Sequence, residues 1–269
     1  MLKREYIDKG GILVFDDSPE NSETYDAKGL DQLFQNEEKH FWFLARKNFI
    51  GEMLSKYVHK DAKIMEVGAG TGNVTRHLMG LGYKDISVGE LHYSGLKYAK
   101  SYGVNNCYQF DLLNNPFESE FDAVCLFDVL EHFNEDMEVM QSVSGMLKDK
   151  GKLAVTVPAH KWLWCRDDKI AGHRKRYTLA KINELFDRAG FDIIEGRYFF
   201  ISILPLLLMR RFIVPDSNAP VTSEERSKDI TMNGVFNRIL LNISLAENKI
   251  NKYLPNVIGG SIFVIGGKK

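Results

Sequence analysis

Residues 64–73, reading IMEVGAGTGN, constrain this chain more than any other stretch. Ile64, Met65 and Val67 surround a single acid, Glu66, and glycines follow at alternate positions, Gly68, Gly70 and Gly72. A short apolar run stopped this way reads as a buried strand feeding a glycine turn and then a helix. Glycine tolerates positive φ and lets a ligand approach the main chain without meeting a Cβ. The helix beyond the turn would offer that ligand free N–H groups and the positive end of its dipole. A dinucleotide fingerprint would need a third glycine where Asn73 stands and places no acid in the strand end. A nicotinamide dehydrogenase is therefore the weaker reading of this turn.

The rest of the pattern supplies neighbours for such a strand. Residues 85–90 (DISVGE), 107–110, 121–127 (FDAVCLF), 152–157, 191–198 and 262–265 all read as strands. The fourth strand, 121–127, is apolar after one acid, as a parallel strand buried on both faces requires. Helices are expected between them, at 73–81, 96–102, from about 134 to Gly151, and at 179–189, capped by Thr178 and closed by Gly190. Seven strands alternating with helices give an α/β, Rossmann-like doubly wound sheet. Residues 1–60 read as an N-terminal extension and cap. Within them, 1–36 are polar and weakly structured, with a short strand or loop near 12–15 and turn signals at 16–19. Helix begins at Glu37, through an unusually aromatic start, HFWFLAR, at 40–46. Residues 61–269 read as the main domain, with 199–257 as a helical, apolar insertion that includes a long helix at 233–252.

Composition removes several function classes. The chain has 269 residues and a net charge of −1, so no general electrostatic footprint for nucleic acid exists. Cys107, Cys125 and Cys165 are odd in number, far apart and without C-x-x-C spacing, which fits buried reduced thiols and argues against zinc or iron–sulfur sites. No metal is expected. The N-terminus MLKREYIDKGG is charged and lacks an apolar signal core, and no apolar run reaches the roughly 18 residues of a spanning helix. The expectation is a cytoplasmic protein.

The Glu-x-Gly-x-Gly-x-Gly turn is similar to motif I of the class I S-adenosylmethionine (SAM) dependent methyltransferases. The resemblance continues in Asp128-Val129-Leu130-Glu131-His132, which is similar to a D-x-L-E-H segment after the fourth strand of that family. It extends to HFWF-x-AR at 40–46 and H-R-x-R-Y-T at 173–178, both found in a bacterial and archaeal group of the family. The resemblance implies strand order 3-2-1-4-5-7-6 with strand seven antiparallel, and SAM as cofactor with S-adenosylhomocysteine as product. It assigns to that cofactor Glu66, Gly68, Ala69, Gly70, Gly72 and Asn73 at the turn, and Glu90 with Leu91 after the second strand. Asp111 with Leu112 follow the third strand, and Asp128 and Glu131 the fourth. Glu90 also stands where an acid can accept from both ribose hydroxyls, a signal shared with dinucleotide folds. For Asp111, the resemblance implies a bond from the adenine amino group; the competing reading is a loop acid capping a turn.

The acceptor side rests on the two remaining segments. A loop of 20 residues, AHKWLWCRDDKIAGHRKRYT, follows the fifth strand. Loops this long in compact domains are usually functional. From it and the cap, His160, Trp164, Arg174, Arg176, Tyr177, Trp42 and Arg46 are the candidate acceptor contacts, and the arginines would favour an anionic acceptor. A solvated basic loop is the alternative. The sulfonium already activates the methyl group, so alignment supplies most of the rate. A hydroxyl acceptor would also need a base, for which His132 and His173 are the candidates. No [DNS]-P-P-[YFW] follows the fourth strand, no Pro-Cys pair follows the fifth, and no paired-glutamate hairpin is present. Methylation of an oxygen or nitrogen on a small-molecule or lipid-linked acceptor, glycan or natural product, remains. The apolar stretch at 199–214, with Pro205 inside and Arg210-Arg211 near its end, reads as a buried helix, or else as a peripheral membrane contact at the inner face. The competing function is a catalytically idle SAM-binding module that docks a partner through this apolar region.

Overall fold

The computed structural model describes residues 4–15, 27–217, 219–222, 225 and 232–269. One nine-stranded sheet carries the fold. Its strands are β1 (Ile7–Asp8), β2 (Ile12–Val14), β3 (Lys63–Val67), β4 (Asp85–Glu90), β5 (Asn106–Gln109), β6 (Phe121–Phe127), β7 (Leu147–Pro158), β8 (Phe191–Phe199) and β9 (Ser261–Lys268). In space they run β1-β2-β5-β4-β3-β6-β7-β9-β8. Strands β2 to β7 pair in parallel, while β9 runs antiparallel to both β7 and β8. The seven strands from β5 to β8 reproduce the expected order and the antiparallel last strand. The hairpin β1–β2 extends the sheet by two strands beyond β5, and its second strand coincides with the segment expected near 12–15.

The helices are α1 (Ala27–Asn36), α2 (Phe41–Tyr57), α3 (Asn73–Gly80), α4 (Tyr93–Ser101), α5 (Asp136–Met146), α6 (Arg166–Ile170), α7 (Leu179–Arg188), α8 (Leu204–Ile213) and α9 (Gly234–Ile250). On one face of the sheet, Val139, Met140 and Val143 of α5 and Ile182 and Phe186 of α7 pack on Val124, Leu126 and Val155. On the other, Phe49, Ile50 and Leu54 of α2 and Leu78 of α3 pack on Ile64, Ala123 and Cys125. Strand β6 thus contributes to both layers, which explains its uninterrupted apolar run. Helix α9 is fastened to α2 by side-chain amides: Asn248 Nδ2 donates to Ala45 O at 2.9 Å, and Phe41 N donates to Asn237 Oδ1 at 2.8 Å.

Three expectations need correction. Residues 27–36 form α1, where weak structure was expected; its contact with α4 comes through aromatic stacking, Phe34 on Tyr98 at 4.0 Å, which no helical period announces. The helix expected to reach Gly151 stops at Met146, because Leu147 already pairs with Phe121 across a bulge in β7. The apolar stretch 199–214 is buried only through Phe199, Phe200, Ile203 and Leu204. Beyond them α8 lies on the surface, with Phe212 78% and Ile213 65% exposed. Its polar side is tied to the long loop by Arg210 Nε–Asp167 Oδ2 at 2.7 Å and by Arg211 to the carbonyl of Trp162. No described helix is long and apolar enough to cross a membrane. The turn signals at 16–19, and part of the polar stretch after α8, lie outside the described residues.

Candidate active site

The carboxyl ends of β3 to β7 gather the motif residues on one rim of the sheet. After β3 the turn takes φ of +68° at Gly68, +55° at Gly70 and +80° at Gly72, all in the left-handed region. A Cβ on Gly68 would lie 2.5 Å from Val129 Cγ2, and one on Gly72 would lie 2.7 Å from Ala99 Cβ of α4. These two glycines are demanded by packing as well as by φ. At Gly70 a Cβ would meet only Leu33 of α1, 3.8 Å away, so this glycine faces the cap. Gly68 N and Ala69 N donate to the Gly89 carbonyl of β4 at 2.8 and 3.2 Å, which welds the turn to the next strand.

The carboxylates are placed differently from one another. Glu66 is turned inward, where its carboxylate accepts from the Thr75 hydroxyl of α3. Glu90 Oε2 accepts from Gly70 N at 2.8 Å, and its Oε1 from Leu91 N at 2.8 Å and His92 N at 3.0 Å. It therefore clamps the turn, and a carboxylate of about four acceptor sites keeps one more. Asp111 Oδ1 accepts from Leu113 N at 3.0 Å at the head of a one-turn 3₁₀ helix beginning at the buried Leu112. Its capping role is met and its second oxygen remains.

The cap reaches the turn through polar side chains. The Thr71 hydroxyl donates to Glu37 at 2.6 Å, and Lys47 Nζ of α2 donates to Asn73 Oδ1 at 2.8 Å and Glu38 Oε1 at 2.7 Å. Arg46 stands between two sites: its guanidinium lies 5.3 Å from the Trp42 ring centroid, and its Nε pairs with Asp128 Oδ2 at 2.6 Å. Trp42 itself stacks on Phe200. Glu37, Thr71, Lys47 and Thr75 carried no sequence signal, because their partners lie in other elements.

Asp128 takes φ +58° and accepts from the Thr156 hydroxyl at 3.0 Å. Three and four residues on, Glu131 and His132 meet the far end of the long loop. His173 Nδ1 lies 2.9 Å from Asp168 Oδ1, and its Nε2 lies 3.7 Å from Glu131 Oε1. The His132 and His173 rings stand 5.2 Å apart. Burial and the neighbouring His173 push His132 down to about 4, so it is neutral and a poor base at pH 7. Burial, with the Asp128 charge adding to it, raises the Glu131 carboxyl well above the usual range.

The arginines expected to bind an anion are engaged internally. Arg176 Nε and Nη2 form a fork on Asp168 at 2.7 and 3.1 Å, and its Nη1 donates to the Ala159 carbonyl. Arg174 Nε donates to His132 O at 2.9 Å. Tyr177 is buried, its hydroxyl donating to Asp136 Oδ1 at 2.8 Å, and His160 is sandwiched between Trp162 and Tyr198. Trp164 Nε1 donates to Asp216 at 3.2 Å. The loop is thus held by its own charges, and Tyr177 and His160 serve as its struts.

Residues 39–195 match the family model described as a methyltransferase domain, which is more than half of the chain. The chain belongs to the methyltransferase domain family. Among curated proteins none matches this methyltransferase. Solved structures share its fold. A chain from a complex of the Haloferax volcanii Trm112 methyltransferase activator with a putative methyltransferase is 14% identical, with 91% of this chain and 95% of that one covered and a TM-score of 0.59. A putative sarcosine dimethylglycine methyltransferase from Galdieria sulphuraria is 15% identical, with 84% and 86% covered and a TM-score of 0.55. A Haemonchus contortus phosphoethanolamine N-methyltransferase 2, in complex with S-adenosylhomocysteine, is 16% identical, with 82% and 52% covered and a TM-score of 0.52. The protein is a SAM-dependent enzyme, and its positive-φ glycine turn, flanked by acids at the ends of β4 and β5, fits that cofactor.

Two buried acids behind the methyltransferase's turn make its stability depend on pH. Burial holds both Glu66 and Glu37 up to about 7, against an ordinary 4.5. Between those pH values the unfolded chain has released the proton and the folded chain keeps it, so stability falls as pH rises through this window and levels off above it. A shift of this size corresponds to on the order of 3 kcal/mol for one group. Glu66→Gln keeps an acceptor for Thr75 and removes the proton. Urea denaturation from pH 4.5 to 8 is expected to show a loss of stability in the parent that is on the order of 2–3 kcal/mol smaller in the variant. Parallel curves would mean that Glu66 ionises in the fold as it does outside it.

Proposed function

We propose that this enzyme transfers the methyl group of SAM to an oxygen or nitrogen of a small-molecule or lipid-linked acceptor, and that the acceptor is uncharged rather than anionic. The observation carrying this reading is the meeting of two segments distant in sequence. Glu131-His132 and His173-Arg174 converge after β6, and Val129, two residues before Glu131, packs on Gly68 of the turn. SAM, when bound, supplies a methyl group activated by its sulfonium. Gly68, Ala69, Gly70, Gly72 and Asn73 would hold it at the turn, with Glu90 and Leu91 at the ribose and Asp111 and Leu112 at the base. Asp128, tied to Arg46, would fix the cap over the site. In the cluster of His173, Glu131 and His132, His173, steadied by Asp168 at its Nδ1, would take an acceptor proton.

The preference for an uncharged acceptor follows from the arginines. Arg46, Arg174 and Arg176 each already serve an internal carboxylate or carbonyl, so an acceptor carboxylate or phosphate would have to displace one. A lipid-linked acceptor is supported by the exposed Met209, Phe212 and Ile213 at the end of α8. Transfer from radiolabelled SAM to hydroxyl, amine and carboxylate acceptors, each free and lipid-tailed, tests this. Hydroxyl or amine acceptors are expected to turn over ahead of carboxylates, and the protein to co-sediment with vesicles carrying the tailed form. Glu90→Ala is expected to lose SAM binding by calorimetry. Tight SAM binding without turnover on any class would favour the idle binding module and overturn the proposal.

A further inference from the structure

We propose that Glu131, His132 and His173 form a binding site for one divalent transition-metal ion, with two imidazoles and one carboxylate as ligands. Glu131 and His132 are neighbours in the chain, but His173 comes from the far end of the long loop, and no short ligand spacing joins it to them. In the fold, one ligand atom from each lies within 4.8 Å of the other two.

The observation that points to a ligand is Glu131. Its side chain has 0% exposure, and among the described residues neither carboxyl oxygen takes a hydrogen bond from another residue. A buried carboxyl without a partner costs at least about 1–3 kcal/mol, and native proteins rarely keep one without a use. Its Oε1 lies 3.7 Å from His173 Nε2. Two ligands of one tetrahedral zinc ion, each about 2.0 Å from the metal, sit about 3.3 Å apart, so a small side-chain adjustment closes that pair on a cation.

The surroundings of the two rings have the character of an outer coordination shell. Metal-binding histidines nearly always give the other ring nitrogen to a carboxylate or a backbone carbonyl. His173 Nδ1 meets Asp168 Oδ1 at 2.9 Å, which leaves Nε2, the nitrogen toward Glu131, as the lone-pair donor. Asp168 is in turn held by Arg176 and by Cys165 N at 2.9 Å, so its carboxylate cannot rotate away. His132 Nδ1 meets the Gly172 carbonyl at 3.1 Å, and the Asp128 carbonyl also faces this ring. Glu131 is sealed in the interior, while His173 is 18% exposed and gives the ion its path in.

Imidazole and carboxylate ligands suit Zn²⁺, Co²⁺, Mn²⁺ or Fe²⁺ better than Mg²⁺ or Ca²⁺. Three protein ligands leave a coordination position open, as in catalytic rather than structural sites. In this respect the inference rests on the proposed function: it gives an acceptor oxygen at the cluster a Lewis-acidic partner, so that no side chain need act as base. Binding of the ion itself does not depend on the acceptor.

The test uses the full chain, stripped with chelator and returned to metal-free buffer. Zn²⁺ is titrated by calorimetry and Co²⁺ by its visible absorption, with SAM titrated separately. One equivalent of each metal is expected to bind, and Zn²⁺ to raise Tm, since a ligand of the native state alone stabilises it. His173→Gln and Glu131→Gln are each expected to weaken metal binding by more than the roughly 100-fold that loss of an outer-shell partner costs. SAM affinity is expected to be retained in His173→Gln, which shows that this variant is folded. No saturable metal binding by the parent, or equal binding by parent and His173→Gln, would overturn the site and leave the acceptor reading to its own assay. Metal binding without methyl transfer to any acceptor would instead keep the site and sink the acceptor reading.

Discussion

Asp168→Ala is expected to destabilise the fold by about 3–5 kcal/mol, the usual cost of removing one member of a buried ion pair. Asp168 has no exposed side-chain surface, and four groups converge on it: the Arg176 fork, His173 Nδ1, Cys165 N and, through its backbone carbonyl, His173 N. Removing the carboxylate leaves the Arg176 guanidinium, itself 13% exposed, without its counter-charge. The Arg176 and His173 charges and hydrogen bonds hold the Asp168 carboxyl below its ordinary range despite burial, so it is ionised at neutral pH. Urea denaturation at pH 7 measures the effect directly. Asp168→Asn, which keeps one oxygen acceptor, is expected to fall between the parent and the alanine variant. A loss below about 1 kcal/mol in Asp168→Ala would place the pair among exposed ion pairs of little consequence.

The second large effect separates two glycines of one turn. Gly72→Ala puts a Cβ 2.7 Å from Ala99 Cβ and 3.0 Å from Ala99 Cα, so α4 has to move. Left-handed backbone costs an alanine about 1–2 kcal/mol and overpacking about 1–3 kcal/mol more, giving roughly 2–5 kcal/mol in all. Gly70→Ala meets nothing nearer than 3.8 Å, so only the backbone cost of about 1–2 kcal/mol applies. Its effect should appear instead in SAM affinity, as a loss of at least about tenfold, or 1.4 kcal/mol, because its Cβ stands on the face turned to the cap. Denaturation and SAM calorimetry on both variants provide the comparison. Equal losses of stability at the two positions would show that the turn is scaffold throughout.

How far the sequence could be read depended on whether a residue's partners were near it in the chain. β4 and β6 were legible to the residue, since an apolar run ended by an acid or a turn is a local signal. The glycine turn was legible for the same reason, and Asp128, Glu131, His132 and His173 stood out by motif. What the arginines do was not legible. Arg176 reads as a free cation in GHRKRYT, and only the fold brings Asp168 beneath it. The Glu37–Thr71 and Lys47–Asn73 contacts join elements 34 and 26 residues apart, and no period or spacing marks either. Helix α8 was legible only in part: its apolar content left burial and a surface contact both open, and the fold buries Leu204, packs Leu206 and Leu207 partly on the core and leaves the far end exposed.

The two-residue strand β1 has a bearing on how copies of this protein can meet. An edge strand offers unpaired N–H and C=O groups to any passing chain, and a short one offers few. The edge that would otherwise expose β5 is covered by β2 along Ile12–Val14, and beyond β2 lies only Ile7–Asp8. Among the described residues, a second molecule could add at most a rung or two of ladder there. Growth of the sheet from one molecule to the next has little foothold at that end, so a sheet-to-sheet contact between copies would have to use the opposite edge, the nine-residue β8.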